Sequence, residues 1–139
     1  MAALRADAKV KLIAGVPLFA GLSKRELAQV ASISDEIDFR SGKVLIREGE
    51  RGREFFVLLE GEVAITRRGE QIDTAGPGDF FGEIALVSNI PRVATVTTTS
   101  PARALVIVDR DFRALLARSS PIAIKVLDAV TERLPPDTD

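Results

Sequence analysis

The chain has 139 residues and a formal net charge of -1, with 46% hydrophobic and 28% charged residues, which is typical of one globular domain. It contains neither cysteine nor histidine, which excludes disulfides, thiolate or imidazole metal ligands and a Ser-His-Asp triad. No basic arm and no apolar run of roughly 18 residues is present, so neither nucleic-acid binding nor a membrane span is expected. The absence of cysteine is compatible with a reducing, cytoplasmic location, which is our expectation.

The N-terminal part of the chain is predicted to be helical over about residues 2–34. Apolar residues at helical spacings predict a first helix that stops near Gly15. Ser23 and Glu26 have the spacing of a capping box for a second helix, which is predicted to end near Ile33. The segment VPLFAGLS between the helices predicts a turn with three buried apolar residues, namely Leu18, Phe19 and Leu22.

The middle of the chain, about residues 35–109, consists of short apolar runs separated by glycines. RRGEQ at 67–71 predicts a hairpin turn, and GPGD at 76–79 predicts a second sharp bend. Many short strands separated by such turns favour an antiparallel β-roll (a double-stranded β-helix or jelly roll) over a parallel α/β sheet. The predicted strands are 36–40, 43–47, 54–60, 62–67, 70–75, 94–99 and 102–109.

The C-terminal part, about residues 110–134, is predicted to return to helix. Asp109 or Asp111 is expected to start one helix, and Ser120 followed by Pro121 is expected to cap and start the next. The predicted fold is therefore a single α+β domain in which N-terminal and C-terminal helices flank a β-roll. The apolar faces of the two C-terminal helices are predicted to be Phe112, Leu115 and Leu116 in the first and Ala123, Leu127, Val130 and Leu134 in the second.

The segment from Phe81 to Thr95 carries the residues expected to bind a ligand. Gly82 would let a ligand approach the backbone, and the helix-forming run after it would offer unpaired N–H groups to an anion. Arg92 can hold a phosphate through two parallel hydrogen bonds, whereas the carboxylate of Glu83 can accept from a sugar hydroxyl. This combination suits a sugar phosphate. The alternative explanation is a salt bridge between Glu83 and Arg92 that ties a loop to a strand.

The same segment resembles the phosphate-binding cassette of the cyclic-nucleotide-binding domain family. That family includes the regulatory subunits of cyclic AMP-dependent protein kinase, the bacterial catabolite activator proteins and cyclic-nucleotide-gated channels. Its pattern reads roughly F-G-E-[LI]-A-L, a short variable stretch and P-R-x-A-T-V, and this chain reads FGEIAL, VSNI and PRVATV. Further stretches similar to the family extend the resemblance over nearly the whole chain, namely LIREGERGREFFVLLEGEV, GPGDFFGE and VDRDFRALL.

The resemblance implies a role for individual residues. Arg92 would neutralise the cyclic phosphate, Glu83 would accept from the ribose 2′-hydroxyl, and Gly82 would leave room for the sugar. Ile65 would form an apolar wall for the base, with plain core packing as its alternative role. Backbone N–H groups near Ile84, Ala85 and Val93 would bind phosphate oxygens. The expected ligand-binding set is completed by Phe81, Pro91 and Ala94.

The resemblance also implies how binding is signalled and which nucleotide is bound. Leu86 and Phe112 would connect the cassette to the C-terminal helices, and Arg133 or Leu134 is a candidate lid over the base. Cyclic GMP-selective members usually carry Thr after the phosphate-binding arginine, and Val93 lacks that hydroxyl. Cyclic AMP is therefore the expected ligand and cyclic GMP the weaker one, with no cofactor, metal or catalytic residue.

Several functional classes stay open. The leading interpretation is a sensor whose partners are a cyclic nucleotide and an unidentified effector protein, with a homodimer as an option. A small β-roll enzyme or a metal-binding cupin would share the shape, but the histidine-rich cupin motif is absent. A degenerate domain kept as a protein-interaction platform is a third class, and a regulatory fragment of a larger transcription factor or enzyme is a fourth.

Overall fold

The computed structural model describes residues 2–51, 53–82, 92–124 and 128. The helices are Ala2–Ala14 (α1), the 3-10 turn Pro17–Phe19, Lys24–Ile33 (α2) and Asp109–Arg118 (α3), and residues 120–124 are also helical. The strands are Asp35–Phe39 (β1), Val44–Ile46 (β2), Glu54–Glu60 (β3), Val63–Arg67 (β4), Glu70–Ala75 (β5), Phe80–Phe81 (β6), Thr95–Thr98 (β7) and Ala102–Val108 (β8). Within the described ranges no helix is long and apolar enough to cross a membrane.

The strands form two four-stranded antiparallel sheets, ordered β1-β8-β3-β6 and β2-β7-β4-β5. This confirms the predicted fold class of an antiparallel β-roll between helices. The bounds of the seven predicted strands agree with the observed bounds to within one residue. The strand β6, which pairs with β3 through Phe81 and Phe56, was not predicted. A two-residue strand is too short for its alternation pattern to be visible in the sequence.

Two hydrophobic clusters lie on opposite faces of β3, whose sequence FFVLL is apolar throughout because both faces are buried. The helix-side cluster consists of Ile13, Val16, Leu18, Phe19, Leu27, Val30, Phe55, Val57, Leu105, Ile107, Phe112, Leu115 and Ile122. The roll cluster consists of Ile46, Phe56, Leu58, Val63, Phe81, Val96, Ala102, Ala104 and Val106. The first joins helices to a sheet, and the second draws on both sheets.

The predicted start of α2 is confirmed. Ser23 Oγ accepts from the N–H of Glu26 at 3.2 Å, and Glu26 Oε1 accepts from the N–H of Ser23 at 3.0 Å. In the preceding turn Leu18 and Phe19 are buried, but Leu22 is only half-buried and packs at the margin of the helix-side cluster. The expectation that Leu22 is buried was wrong, since it lies in the exposed entry to the helix.

The predicted cap of the last helix was wrong by one residue. Ser119, not Ser120, has the extended conformation that an N-cap needs, and its Oγ accepts from the N–H of Ile122 at 3.4 Å. Ile122 is fully buried, whereas Ala123 is half-buried. Within the described part of this helix the buried position is therefore one residue earlier than predicted. The other members of the predicted stripe, Leu127, Val130 and Leu134, lie outside the described residues.

An ion-pair network links three neighbouring strands. Arg103 of β8 donates from Nε to Asp38 Oδ1 of β1 at 2.7 Å. Its Nη1 lies 3.9 Å from Glu36 Oε2 and 3.9 Å from Glu60 Oε1. The hydrogen bond to Asp38 raises the pKa of Arg103 above its ordinary value. Because Asp38 and Glu60 are mostly exposed and Arg103 and Glu36 partly so, the network contributes to strand register more than to stability.

Candidate ligand-binding site

Arg92 is the one charged residue that is buried within the described ranges, with 7% of its surface exposed. Its Nη1 donates to the carbonyl oxygen of Gly82 at 2.9 Å, and its Nη2 donates to that of Glu54 at 2.7 Å. The two carbonyls fix the plane of the guanidinium. A guanidinium in a fixed orientation can bind a phosphate through two parallel hydrogen bonds.

The backbone of Arg92 is held by the turn between β2 and β3. The N–H of Arg92 donates to the carbonyl oxygen of Glu50 at 2.8 Å, and the N–H of Gly49 donates to that of Arg92 at 2.8 Å. Both ends of the residue are therefore positioned, the backbone by residues 49–50 and the guanidinium by β3 and Gly82. Such positioning lowers the entropy that a ligand must remove on binding.

Gly82 directly adjoins the Arg92 guanidinium and has a φ of +97°. A Cβ at this position would lie 2.7 Å from Arg92 Nη1 and 2.7 Å from the carbonyl oxygen of Glu54. Only glycine combines this backbone conformation with so close an approach. The close approach of the Arg92 side chain therefore requires glycine here, whereas the expected approach of a ligand to Gly82 stays a prediction.

A cavity of about 350 Å³ borders the Arg92 side chain. Four of its lining residues are arginines and two are glutamates, so its lining has a positive balance that attracts anions. One of these glutamates is Glu50, whose Oε1 lies 3.7 Å from Nε of the exposed Arg47. The lining consists of Leu45, Ile46, Arg47, Glu50, Arg51, Arg53, Glu54 and Arg92.

The other described residues of the predicted site lie in or beside the two clusters. Phe81 is 3% exposed and belongs to the roll cluster, against which the half-buried Ile65 packs. Val93 is half-buried and packs against the helix-side cluster, and Ala94 is 8% exposed. The structure therefore brings Gly82 and Arg92 together. Ile65 packs on the roll cluster and is also partly exposed, so both of its expected roles stay predictions.

The remaining predicted residues lie outside the described part of the chain. These are Glu83, Ile84, Ala85, Leu86 and Pro91 in the cassette and Arg133 and Leu134 at the C-terminus. The expected ribose contact of Glu83 and its alternative, a salt bridge to Arg92, stay predictions. Across the described ranges no group of three or more acidic residues is placed to hold a metal ion.

Sequence reasoning missed two kinds of contact with the predicted site residues. The carbonyl groups of Glu50 and Glu54 orient Arg92, but a backbone acceptor leaves no mark on residue identity. Arg67 was also missed, although its Nε donates to the carbonyl oxygen of Val93 at 3.1 Å. A signal for Arg67 does exist, because it follows Val63 and Ile65 at every second position of β4, where another inward-facing apolar residue would be expected.

Comparison with known proteins gives the family. The family model described as cyclic nucleotide-binding domain matches residues 36–119. A cAMP-dependent protein kinase regulatory subunit of Mycosarcoma maydis is 40% identical over 115 residues, which cover 76% of this chain and 22% of that protein. A putative potassium channel protein of Rhodopseudomonas palustris is 36% identical over 126 residues, which cover 88% of this chain and 30% of that protein.

A solved structure is also similar throughout the fold. It is the regulatory subunit of a cAMP-independent protein kinase A from Trypanosoma cruzi bound to guanosine, with a TM-score of 0.80 and 26% identity over 89% of this chain and 45% of that one. The chain spans less than a third of the length of the two curated relatives. Since the family model matches more than half of the chain, which has the predicted antiparallel β-roll, the chain belongs to the cyclic nucleotide-binding domain family.

Proposed function

We propose that this domain is a regulatory sensor that binds cyclic AMP in the segment 81–95 and signals to an effector protein through its C-terminal helices. The observation that carries the proposal is the buried Arg92, whose guanidinium is fixed by the carbonyls of Gly82 and Glu54. Arg92, which is expected to bind the phosphate, therefore contacts Gly82, which is expected to leave room for the sugar.

The proposed role of Arg92 is to neutralise the single negative charge of the cyclic phosphate. Two hydrogen bonds to neutral carbonyls orient the guanidinium before the ligand arrives, so little reorganisation accompanies binding. The arginine-rich cavity at its side adds a favourable field for an anion. Removal of one partner from such a buried charge pair costs about 2–5 kcal/mol.

The proposed selectivity for cyclic AMP depends on what Val93 lacks. Burial of the guanine 2-amino group without an acceptor costs about 1–3 kcal/mol, and adenine has no such group. We therefore expect cyclic AMP to bind about tenfold more tightly than cyclic GMP, or better. One relative is named as cAMP-dependent and the similar structure is named as cAMP-independent, so the choice of ligand needs a direct measurement.

The proposed activity is regulatory and involves no catalytic residue. A kinase regulatory subunit and a channel are among the relatives, and in this chain the effector would be a protein reached through α3 and the helix after it. A cytoplasmic location and a homodimer remain compatible with this proposal. No direct contact with nucleic acid or a membrane is proposed for this domain.

Isothermal titration calorimetry with cyclic AMP, cyclic GMP and guanosine tests the proposal. We expect Arg92→Ala to lower the affinity for cyclic AMP by about 2–5 kcal/mol and Arg92→Lys to restore part of it, because lysine lacks the two-pronged geometry. Arg110→Ala is the control, since its side chain is 88% exposed and carries the same charge.

Three results would contradict parts of this proposal. Equal binding of cyclic AMP by the wild type and Arg92→Ala would show that the phosphate site is wrong. Tighter binding of guanosine than of cyclic AMP would favour a nucleoside sensor, in which a phosphate-binding arginine has no function. Binding of none of the three ligands would favour an interaction platform that does not depend on a nucleotide.

A further inference from the structure

Arg67 is the last residue of β4, and the proposed function assigns no role to its positive charge. It is half-buried, and strand alternation places it on the same face as Val63 and Ile65, which contact the roll cluster. Its Nε donates to the carbonyl oxygen of Val93 at 3.1 Å. A charged side chain therefore continues the inward-facing row of β4 and contacts the residue that directly follows Arg92.

The charge of Arg67 has no carboxylate partner within the described part of the chain, where no acidic oxygen lies within 4.0 Å of its guanidinium. Two carboxylates of the surrounding strands and turns have other partners. Glu48 Oε1 accepts from the N–H of Arg68 at 2.9 Å, and Asp73 Oδ1 accepts from the N–H of Thr74 at 2.8 Å. A half-buried cation without a described counter-charge would gain from a ligand that supplies an acceptor.

The position of Arg67 brings it close to any base that contacts Ile65. The two residues are separated by two positions on one strand face, a distance of roughly 6.5–7 Å. That distance is comparable to the width of a purine ring. A nucleotide with its phosphate at Arg92 and its base on Ile65 would therefore extend past the Arg67 side chain.

We propose that Arg67 is a specificity-determining residue that reads the edge of the base turned toward residue 93. The proposal rests on the proposed function, because it requires a nucleotide in this site. A guanidinium donates hydrogen bonds and accepts none. Arg67 therefore favours a purine that turns its N7 acceptor toward the guanidinium. It disfavours guanine that turns its 2-amino donor toward the guanidinium. This preference adds to the selectivity for cyclic AMP that results from the missing hydroxyl at Val93.

Calorimetric titration of the full chain with cyclic AMP, 7-deaza cyclic AMP and cyclic GMP tests this role. The 7-deaza analogue lacks only the N7 acceptor. Arg67→Met keeps the apolar stem and removes every donor, Arg67→Lys keeps the charge, and the exposed Arg110→Ala is the charge-matched control. Urea unfolding of each variant measures any loss of stability separately.

We expect Arg67→Met to weaken cyclic AMP about tenfold to a hundredfold, the range for a hydrogen bond to a charged group. The affinity for the 7-deaza analogue should fall less than about threefold in Arg67→Met, since this analogue already lacks the contact with Arg67. The affinity for cyclic GMP should fall less than the affinity for cyclic AMP. Arg67→Lys should lie between Arg67→Met and the wild type.

Equal losses for cyclic AMP and its 7-deaza analogue would overturn the proposal, because they would show that Arg67 only positions the carbonyl of Val93. An unchanged affinity for cyclic AMP in Arg67→Met would overturn it as well. A wild type that binds none of the three nucleotides would instead contradict the proposed function itself.

Discussion

Gly82→Ala adds a single methyl group next to β3 and the Arg92 guanidinium. The new Cβ would lie 2.7 Å from Arg92 Nη1 and 2.7 Å from the carbonyl oxygen of Glu54. Both atoms are constrained, since Nη1 already donates to Gly82 and the Glu54 carbonyl accepts from Nη2. The substitution therefore has to move β3 or displace the guanidinium.

The expected cost has two parts. An alanine in a backbone conformation with φ of +97° is strained by roughly 1–2 kcal/mol. Overpacking against constrained neighbours adds roughly 1–3 kcal/mol. Gly21→Ala separates the two parts, because Gly21 has a φ of +86° and an added Cβ would meet nothing within 4 Å.

Urea unfolding of the ligand-free variants and calorimetry with cyclic AMP measure both consequences. Gly82→Ala should be less stable than Gly21→Ala by about 1–3 kcal/mol, the overpacking part alone. Its affinity for cyclic AMP should also fall, because the guanidinium is displaced, whereas Gly21→Ala should bind like the wild type. If Gly82→Ala costs no more stability than Gly21→Ala and binds normally, the close approach of Gly82 to Arg92 does not shape the site.

Two further substitutions test the parts of the ligand that Arg92 does not hold. Glu83→Gln should weaken cyclic AMP by roughly 1.5–3 kcal/mol and 2′-deoxy cyclic AMP far less, measured by competition binding. Equal losses would exclude the ribose contact. Val93→Thr should strengthen cyclic GMP and leave cyclic AMP almost unchanged in the same assay, since the hydroxyl supplies an acceptor. A constant ratio of the two affinities would show that the Val93 side chain stays in the helix-side cluster and does not reach the base.

Most of the fold could be predicted from local sequence patterns, because the structure of several short segments is determined independently of the rest of the chain. The capping box of Ser23 and Glu26 needs three residues of context, and it formed as expected. The turn at 67–71 formed with positive φ at Arg68 and Gly69, the conformation of a tight hairpin. The errors occurred where neighbouring elements decide, as at Ser119, which became the cap because α3 ends one residue before it.

The site was only partly predictable, because some of its contacts also depend on neighbouring elements. Residue types indicated Arg92 and Gly82, since a bidentate cation and a permissive backbone are properties of those side chains. The orientation of Arg92 depends on carbonyls of the β2–β3 turn and β3, which any residue could supply. Arg67 reaches Val93 across 26 positions of sequence, and only the pairing of β4 with β7 brings the two together.

The route from the ligand to the C-terminal helices follows from contacts on both faces of β3. Arg92 donates to the carbonyl of Glu54, the next residue Phe55 stacks on Phe112 of α3 with ring centroids 4.2 Å apart, and Phe112 is fully buried. When the guanidinium binds a phosphate, a small shift in its hydrogen bond to the Glu54 carbonyl should therefore be passed through Phe55 to the packing of α3.

Hydrogen exchange over residues 110–124 measures this coupling with and without cyclic AMP. A coupling free energy of about 1 kcal/mol would change exchange rates about fivefold in α3, while the central amides of β8 should serve as an unaffected reference. Arg92→Ala at the same ligand concentration should abolish the change, since the link begins at its guanidinium. Identical protection of α3 in the free and bound wild type would mean that nucleotide binding ends at the β-roll, and that the signal leaves the domain by another surface.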